Sequence, residues 1–303
     1  MAFPELSDAF RCERLIPPRG PIRMVLDTDT YNEVDDQFAL AYALLAPEVL
    51  TLEAVYAAPF HNNRSTGPAD GMERSYQEIL AVLERMNSAF DVVLRGSQNY
   101  LSAAGEAVDS PAARDLVARG LASDEPLYVA AIGAPTNVAS ALLLEPSLVG
   151  RIIVVWVAGH PLDWPTAREF NLEQDLHASR VLFDSGVPLV QIPGRLVAEQ
   201  LRTTIPELNA CLRGHGALAD YLCDIVAGYT TEPIGWSKVI WDISAIAWMV
   251  QADWVPTVLT STPILTAEVT YSRDPSRPLM RLARICHRDA IFRDLFRRFS
   301  QLP

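Results

Sequence analysis

Short β-branched runs alternate with segments of helical period through the first two thirds of the chain, and this alternation restricts the fold more than any other feature. The runs "IRMVLD", "LTLEAVYAA", "DVVLRG", "LYVAAIG", "RIIVVWVAG" and "PLVQIP" read as strands. Between them "DDQFALAYALLA", "GMERSYQEILAVLERMN", "SPAARDLVARG", "PTNVASALLLEP" and "LEQDLHASRVLFDSG" place apolar residues at helical spacing. Such an order is that of βαβ units around a mostly parallel sheet, a Rossmann-like α/β fold. After Pro193 the pattern turns helical and ends in an expected strand pair, "VPTVLT" with "PILTAEVTYS", and a basic amphipathic helix, "HRDAIFRDLFRRFS". No linker rich in Gly, Ser or Pro divides the chain, so residues 1–303 are expected to form one domain with a C-terminal elaboration. Two segments resist assignment, "PFHNNRSTGPADG" and "HPLDWPTAREFN". Both follow strands, where open α/β sheets place their binding loops.

Half of the residues are hydrophobic, enough for a large core, and the formal charge is −12. That charge repels nucleic-acid backbones and anionic membrane surfaces and leaves a small neutral molecule or a cation as the expected partner. Cys12, Cys211, Cys223 and Cys286 are scattered without a CxxC pair. A reducing compartment, the cytoplasm, fits this usage better than a zinc or disulfide framework. The first residues lack a basic start followed by an apolar segment, so no signal peptide is expected. The most apolar run, "VIWDISAIAWMV", is too short to span a bilayer and carries an Asp.

The stretch "LDTDTYNEVDD" crowds Asp27, Asp29, Glu33, Asp35 and Asp36 at the end of an apolar strand. Each carboxylate raises the cost of ionising its neighbours. Asp27 and Asp29 lie two apart and are expected to face one side, with Asp35 and Asp36 at the next helix start. One reading makes Asp35 an N-cap and Asp36 a partner of the helix dipole, worth about 1 kcal/mol. It leaves Asp27 and Asp29 unexplained. A hard divalent cation held by several carboxylate oxygens relieves the repulsion, and this is the favoured expectation.

Haloacid-dehalogenase-type phosphatases also begin with an acidic strand end. The match is poor, because Tyr31 stands where they have Thr or Val, and Lys238, the only lysine, lies close to Asp242. The opening "LDTDTYNEVDDQFALAYAL" instead resembles that of the inosine-uridine-preferring nucleoside hydrolase family. Three further blocks continue the resemblance in the family's order: "VAAIGAPTNVASALLLEP", "EFNLEQDLHASRVLFDSGVPLVQIP" and "WDISAIAWM".

The resemblance implies a calcium ion that binds the attacking water and two ribose hydroxyls. Its ligands would be Asp29, Asp36, Asp242 and the backbone carbonyl of Thr136. Asp35, Asn171 and Glu169 would hold the ribose, with Asn32 beside them, and Asp27 would support this shell by hydrogen bonding. Asp29 would also act as the base. Cleaving a ribosyl C–N bond passes through an oxocarbenium-like transition state, so carboxylates on one face and an activated water on the other suit the chemistry. A dimer or tetramer is the implied assembly.

Departures from the family pattern are plain. Five residues, "TYNEV", separate Asp29 from the Asp-Asp pair where the family often has three. Asp163 occupies the position of a ribose-binding Asn. Trp241 replaces a His that protonates the leaving base, and the other usual His is absent from "AGEAVDSP". Family members with Trp at this place prefer purines, so a purine riboside is the expected substrate, with Trp241 stacked on the base and Tyr31 or Tyr100 as a second aromatic. Simpler readings exist: Trp241 as core, Thr136 and Asn137 as a helix start after Pro135, and His61 to Arg64 as a solvated loop rather than a lid. Rival functions are hydrolysis of another N-riboside and a silent member that only binds calcium or ribosides.

Overall fold

The computed structural model describes residues 3–301. Six strands alternate with helices as the periodicity predicts: β1 (Ile22–Thr28), β2 (Leu50–Ala57), β3 (Val93–Arg95), β4 (Leu127–Ala131), β5 (Ile152–Val157) and β6 (Leu189–Ile192). A short antiparallel pair, β7 (Arg202–Thr203) and β8 (Lys238–Val239), precedes β9 (Thr257–Ser261), a hairpin of β10 (Ile264–Leu265) and β11 (Tyr271–Ser272), and β12 (Leu279–Ala283). The helices are α1 (Asp8–Arg14), α2 (Asp35–Leu44), α3 (Pro68–Arg85), α4 (Pro111–Leu121), α5 (Thr136–Leu144), α6 (Phe170–Gln174), α7 (Leu176–Asp184), α8 (Ile205–Cys211), α9 (Ala217–Ala227), α10 (Ile243–Val250) and α11 (Arg288–Phe299). None is long and apolar enough to cross a membrane among the described residues.

The main sheet has eight strands in the order β3-β2-β1-β4-β5-β6-β12-β9, parallel except for β9 against β12. The expected pairing of 255–260 with 263–272 does not form. β9 pairs instead with β12, whose "LMRLA" run sequence reading passed over, while 264–265 and 271–272 fold on themselves. β12 extends the parallel sheet beyond β6, with Met280, Leu282 and Ala283 buried.

Strands β4 and β5 are buried at every position, which is why they read as unbroken apolar runs rather than alternating ones. Met24 and Leu26 point to one core layer with α2, α10 and α11, and Val25 to the other with α4, α5 and α7. Helix α2 carries three Ala and two Leu among weaker helix formers and is buried from Asp35 to Ala43, so packing holds it rather than a cap. Strand order reverses between β1 and β4, with β2 and β3 to one side and β5 and β6 to the other. In open α/β sheets a crevice opens beyond the strand ends at such a switch point.

Candidate active site

A cavity of about 380 Å³ lies at this switch point, within the usual size range for small-molecule sites. Asp29, Asp35, Asp36 and Asp242 line it, all buried. β1 ends at Thr28, so the chain turns and Asp29 hangs over the sheet edge into the cavity. Gly133 at the end of β4 makes room for it, since a Cβ there would sit 3.2 Å from Asp29 Cβ and Cγ. Thr28 Oγ1 donates to Asp36 Oδ1 at 2.5 Å. Both oxygens of Asp29 and Oδ1 of Asp35 have no hydrogen-bond partner although buried.

The capping reading fails for Asp35. Helix α2 begins at that residue, Val34 occupies the cap position and no side chain caps the helix. Burial pushes Asp35 up to about 6, with Glu33 adding to it. Burial, then the charge of the neighbouring acids, holds Asp29, Asp36 and Asp242 well above the ordinary carboxylate range. Orphaned oxygens on crowded buried acids are what an oxygen-seeking cation would relieve. One oxygen each from Asp35, Asp36 and Asp242 lie within 4.8 Å of one another, a spread that a cation with oxygen contacts of about 2.3–2.6 Å can bridge. Asp35, expected at the ribose, thus stands with Asp36 and Asp242 in this cluster, and Asp29 lines the same cavity.

Other expected residues divide. Asn32, Asn171, Glu169 and Trp241 line the cavity. Asn171 donates from Nδ2 to the carbonyls of Ile132 and Val157. The Glu169 carboxyl accepts from the backbone N–H groups of Gly159, Asn171 and Leu172, so it caps α6 as well as facing the site. Burial pushes it up to about 7. Asp27 does not reach the cavity: it faces α5 and accepts from Asn137 Nδ2 at 2.7 Å, while burial raises it to about 7.

Thr136 and Asp163 fall outside the lining. Thr136 is the first residue of α5, its hydroxyl donates to Asp175, and its carbonyl belongs to the helix ladder. Ile132, four residues earlier at the end of β4, lines the cavity instead. Asp163 is exposed in the turn after β5. The two tyrosines are also elsewhere. Arg64 stacks over Tyr31 at 4.4 Å, and the Tyr100 hydroxyl donates to Gln174. Phe170 is the lining ring that sequence reading missed, although it stands between two expected site residues. His160 and Arg195 were missed too; His160 opens one of the segments without assigned structure. The loop 58–71 reaches the site through Asn62, whose Nδ2 donates to Asn32 Oδ1 at 2.6 Å.

An acid-lined crevice at the switch point of a doubly wound sheet defines an α/β protein whose buried carboxylates could hold a metal ion. The family described as inosine-uridine preferring nucleoside hydrolase matches residues 24–280, and the chain belongs to it. Its members are N-glycosyl hydrolases. A pyrimidine-specific ribonucleoside hydrolase of Enterobacter sp. (strain 638) is 30% identical over 192 residues, 55% of this chain and 58% of that protein. A probable uridine nucleosidase of Arabidopsis thaliana is 25% identical over 68% of this chain and 69% of that protein. The matched region thus spans little more than half the length of the first of these relatives. In fold, a purine-preferring ribonucleoside hydrolase from Gardnerella vaginalis superposes with a TM-score of 0.73 at 22% identity, over 92% of this chain and 98% of that one.

Proposed function

We propose that this chain hydrolyses the N-glycosidic bond of ribonucleosides with the help of a calcium ion, purine ribosides being its preferred substrates. The observation that carries this reading is the set of four buried acids at the switch point, with both oxygens of Asp29 unpartnered. Asp35, Asp36 and Asp242 would hold the cation, with Asp29 beside them; Ile132, not Thr136, is the residue of this stretch that lines the cavity. When bound, the cation would neutralise the acids and make a water more acidic.

The protein's own groups supply the rest. Asn171 spends both Nδ2 hydrogens on backbone carbonyls, which leaves Oδ1 to accept from a ribose hydroxyl. Asp29 takes a proton from water as the water oxygen bonds to C1′ and the bond from C1′ to the base nitrogen breaks, its electron pair leaving with the base. The base takes its proton from solvent. The ionised acids stabilise positive charge developing on the sugar. Attack opposite the departing base inverts C1′. Trp241 would stack on the base, with Phe170 as the second ring of the lining, and a purine offers the larger π-surface. A cytoplasmic dimer or tetramer is part of the same reading.

The test is base release from inosine, guanosine, adenosine, uridine and cytidine, with calcium and with chelator. Calcium-dependent release, fastest for a purine, supports it. Stabilisation by calcium without release of any base would replace it with a silent binding protein.

A further inference from the structure

The cavity is not acidic all round. The loops after β5 and β6, across β4 from the Asp29 loop, bring His160, Arg168, Gly194 and Arg195 to one wall. His160 is 9% exposed, and its Nδ1 has no hydrogen-bond partner. A Cβ on Gly194 would lie 3.4 Å from Glu169 Cγ, 3.5 Å from Gly159 O and 3.9 Å from His160 Nδ1. Glycine therefore leaves a notch open beside an imidazole nitrogen that has nothing to bond.

Two guanidinium groups flank this notch. Arg168 uses Nη1 on Glu173, and Arg195 uses Nη1 on Glu199 at 3.0 Å. Their Nε and Nη2 atoms make no hydrogen bond among the described residues. Glu199 is shared with Arg202 at 2.9 Å, so it is divided between two guanidinium groups. The Glu169 carboxyl also borders the notch, where three backbone N–H groups hold it in place. These ion pairs are half-exposed and weak enough for a ligand to displace.

A neutral nucleoside has no use for such a wall. We propose that the wall is an anion subsite, and that the substrate is a riboside bearing an anionic group, a phosphate or a carboxylate, which His160 and Arg195 receive with Arg168 at the rim. The inference rests on the ribosidase reading above. An acidic floor and a basic wall also orient such a molecule, because its anion is repelled from one and drawn to the other. A planar guanidinium suits both phosphate and carboxylate, which it can take through two parallel N–H bonds.

The products test this without turnover. Calorimetric titration of the calcium-loaded chain at fixed ionic strength compares ribose 5-phosphate with ribose, and orotate with uracil. One anionic product should bind at least about tenfold tighter than its neutral counterpart, as expected for one added charge-assisted contact. A gain on the phosphate arm places the anion on the sugar; a gain on the orotate arm places it on the base. Arg195→Ala should shrink that ratio, and Arg195→Lys should keep part of it. Equal binding on both arms, or a ratio that survives both Arg195→Ala and Arg168→Ala, overturns the proposal. Tight binding of ribose 5-phosphate by a protein that releases no base would leave the subsite standing and sink the hydrolase reading instead.

Discussion

Asn171 donates its side-chain amide to the carbonyl of Ile132 at 3.0 Å, and with a second bond to Val157 at 2.9 Å it ties the ends of β4 and β5 together. An expected ribose contact is thus also a clamp across two strands. Asn171→Ala would orphan two buried carbonyls and should cost about 1–3 kcal/mol of stability. Denaturant unfolding measures this. Asn171→Asp should cost at least as much, because it sets a carboxylate against the same two acceptors.

Calcium should raise the melting temperature, since a ligand that binds only the folded state stabilises it. At a hundredfold excess over Kd the shift should be roughly 4 °C at constant ionic strength. Asp36→Ala should remove most of it, and Asp242→Asn should weaken it. An undiminished response in Asp36→Ala would mean that the cation binds elsewhere.

Stability without the cation should fall as pH rises from about 4 to about 7. Asp27 and Glu169 are both raised to about 7 by burial. A carboxyl whose folded pKa lies above its unfolded value holds more protons folded than unfolded in the interval between them, so rising pH removes stability there. Asp27→Asn keeps an acceptor for Asn137 and should flatten the profile measured in chelator. A profile that rises across this window would contradict the assignment.

If Asp29 is the base, Asp29→Asn should lower kcat by about 10²–10⁴ and change KM much less. Equal losses in kcat and in riboside affinity would reduce it to a binding group.

Trp241→Ala should lower kcat/KM for inosine more than for uridine, by about ten- to a hundredfold on the stacking energies found for bases on aromatic rings. A native enzyme that turns over uridine faster than inosine, or a mutant with the same substrate ranking, would return Trp241 to a packing role. It packs against the core in any case.

What could be read from sequence follows the range of the forces involved. β1 to β6 and the helices between them declare themselves through local periodicity, and so does α11. β12 does not, because "LMRLA" becomes a strand only by pairing with β6 and β9, far away in the chain. α1, a seven-residue helix capped by Ser7, is too short to show a period. The acids of 29–36 were legible because repulsion among neighbours is itself local. Thr136 lies outside the lining where it opens its own helix, and Asp163 where a turn carries it outward into solvent. His160, Ile132, Phe170 and Arg195 converge only when the ends of β4, β5 and β6 stand side by side, and no spacing records that.

The strand order has a consequence for synthesis. Asp29, Asp35 and Asp36 leave the ribosome early, while Asp242 immediately precedes α10, which packs on α2 only after most of the chain has been made. Until then α2 lacks the partner that buries it, and its acids stay hydrated and ionised at little cost. The acids of 29–36 meet Asp242 only when α10 docks, so a cation held among them would bind late in synthesis rather than template the first half of the chain.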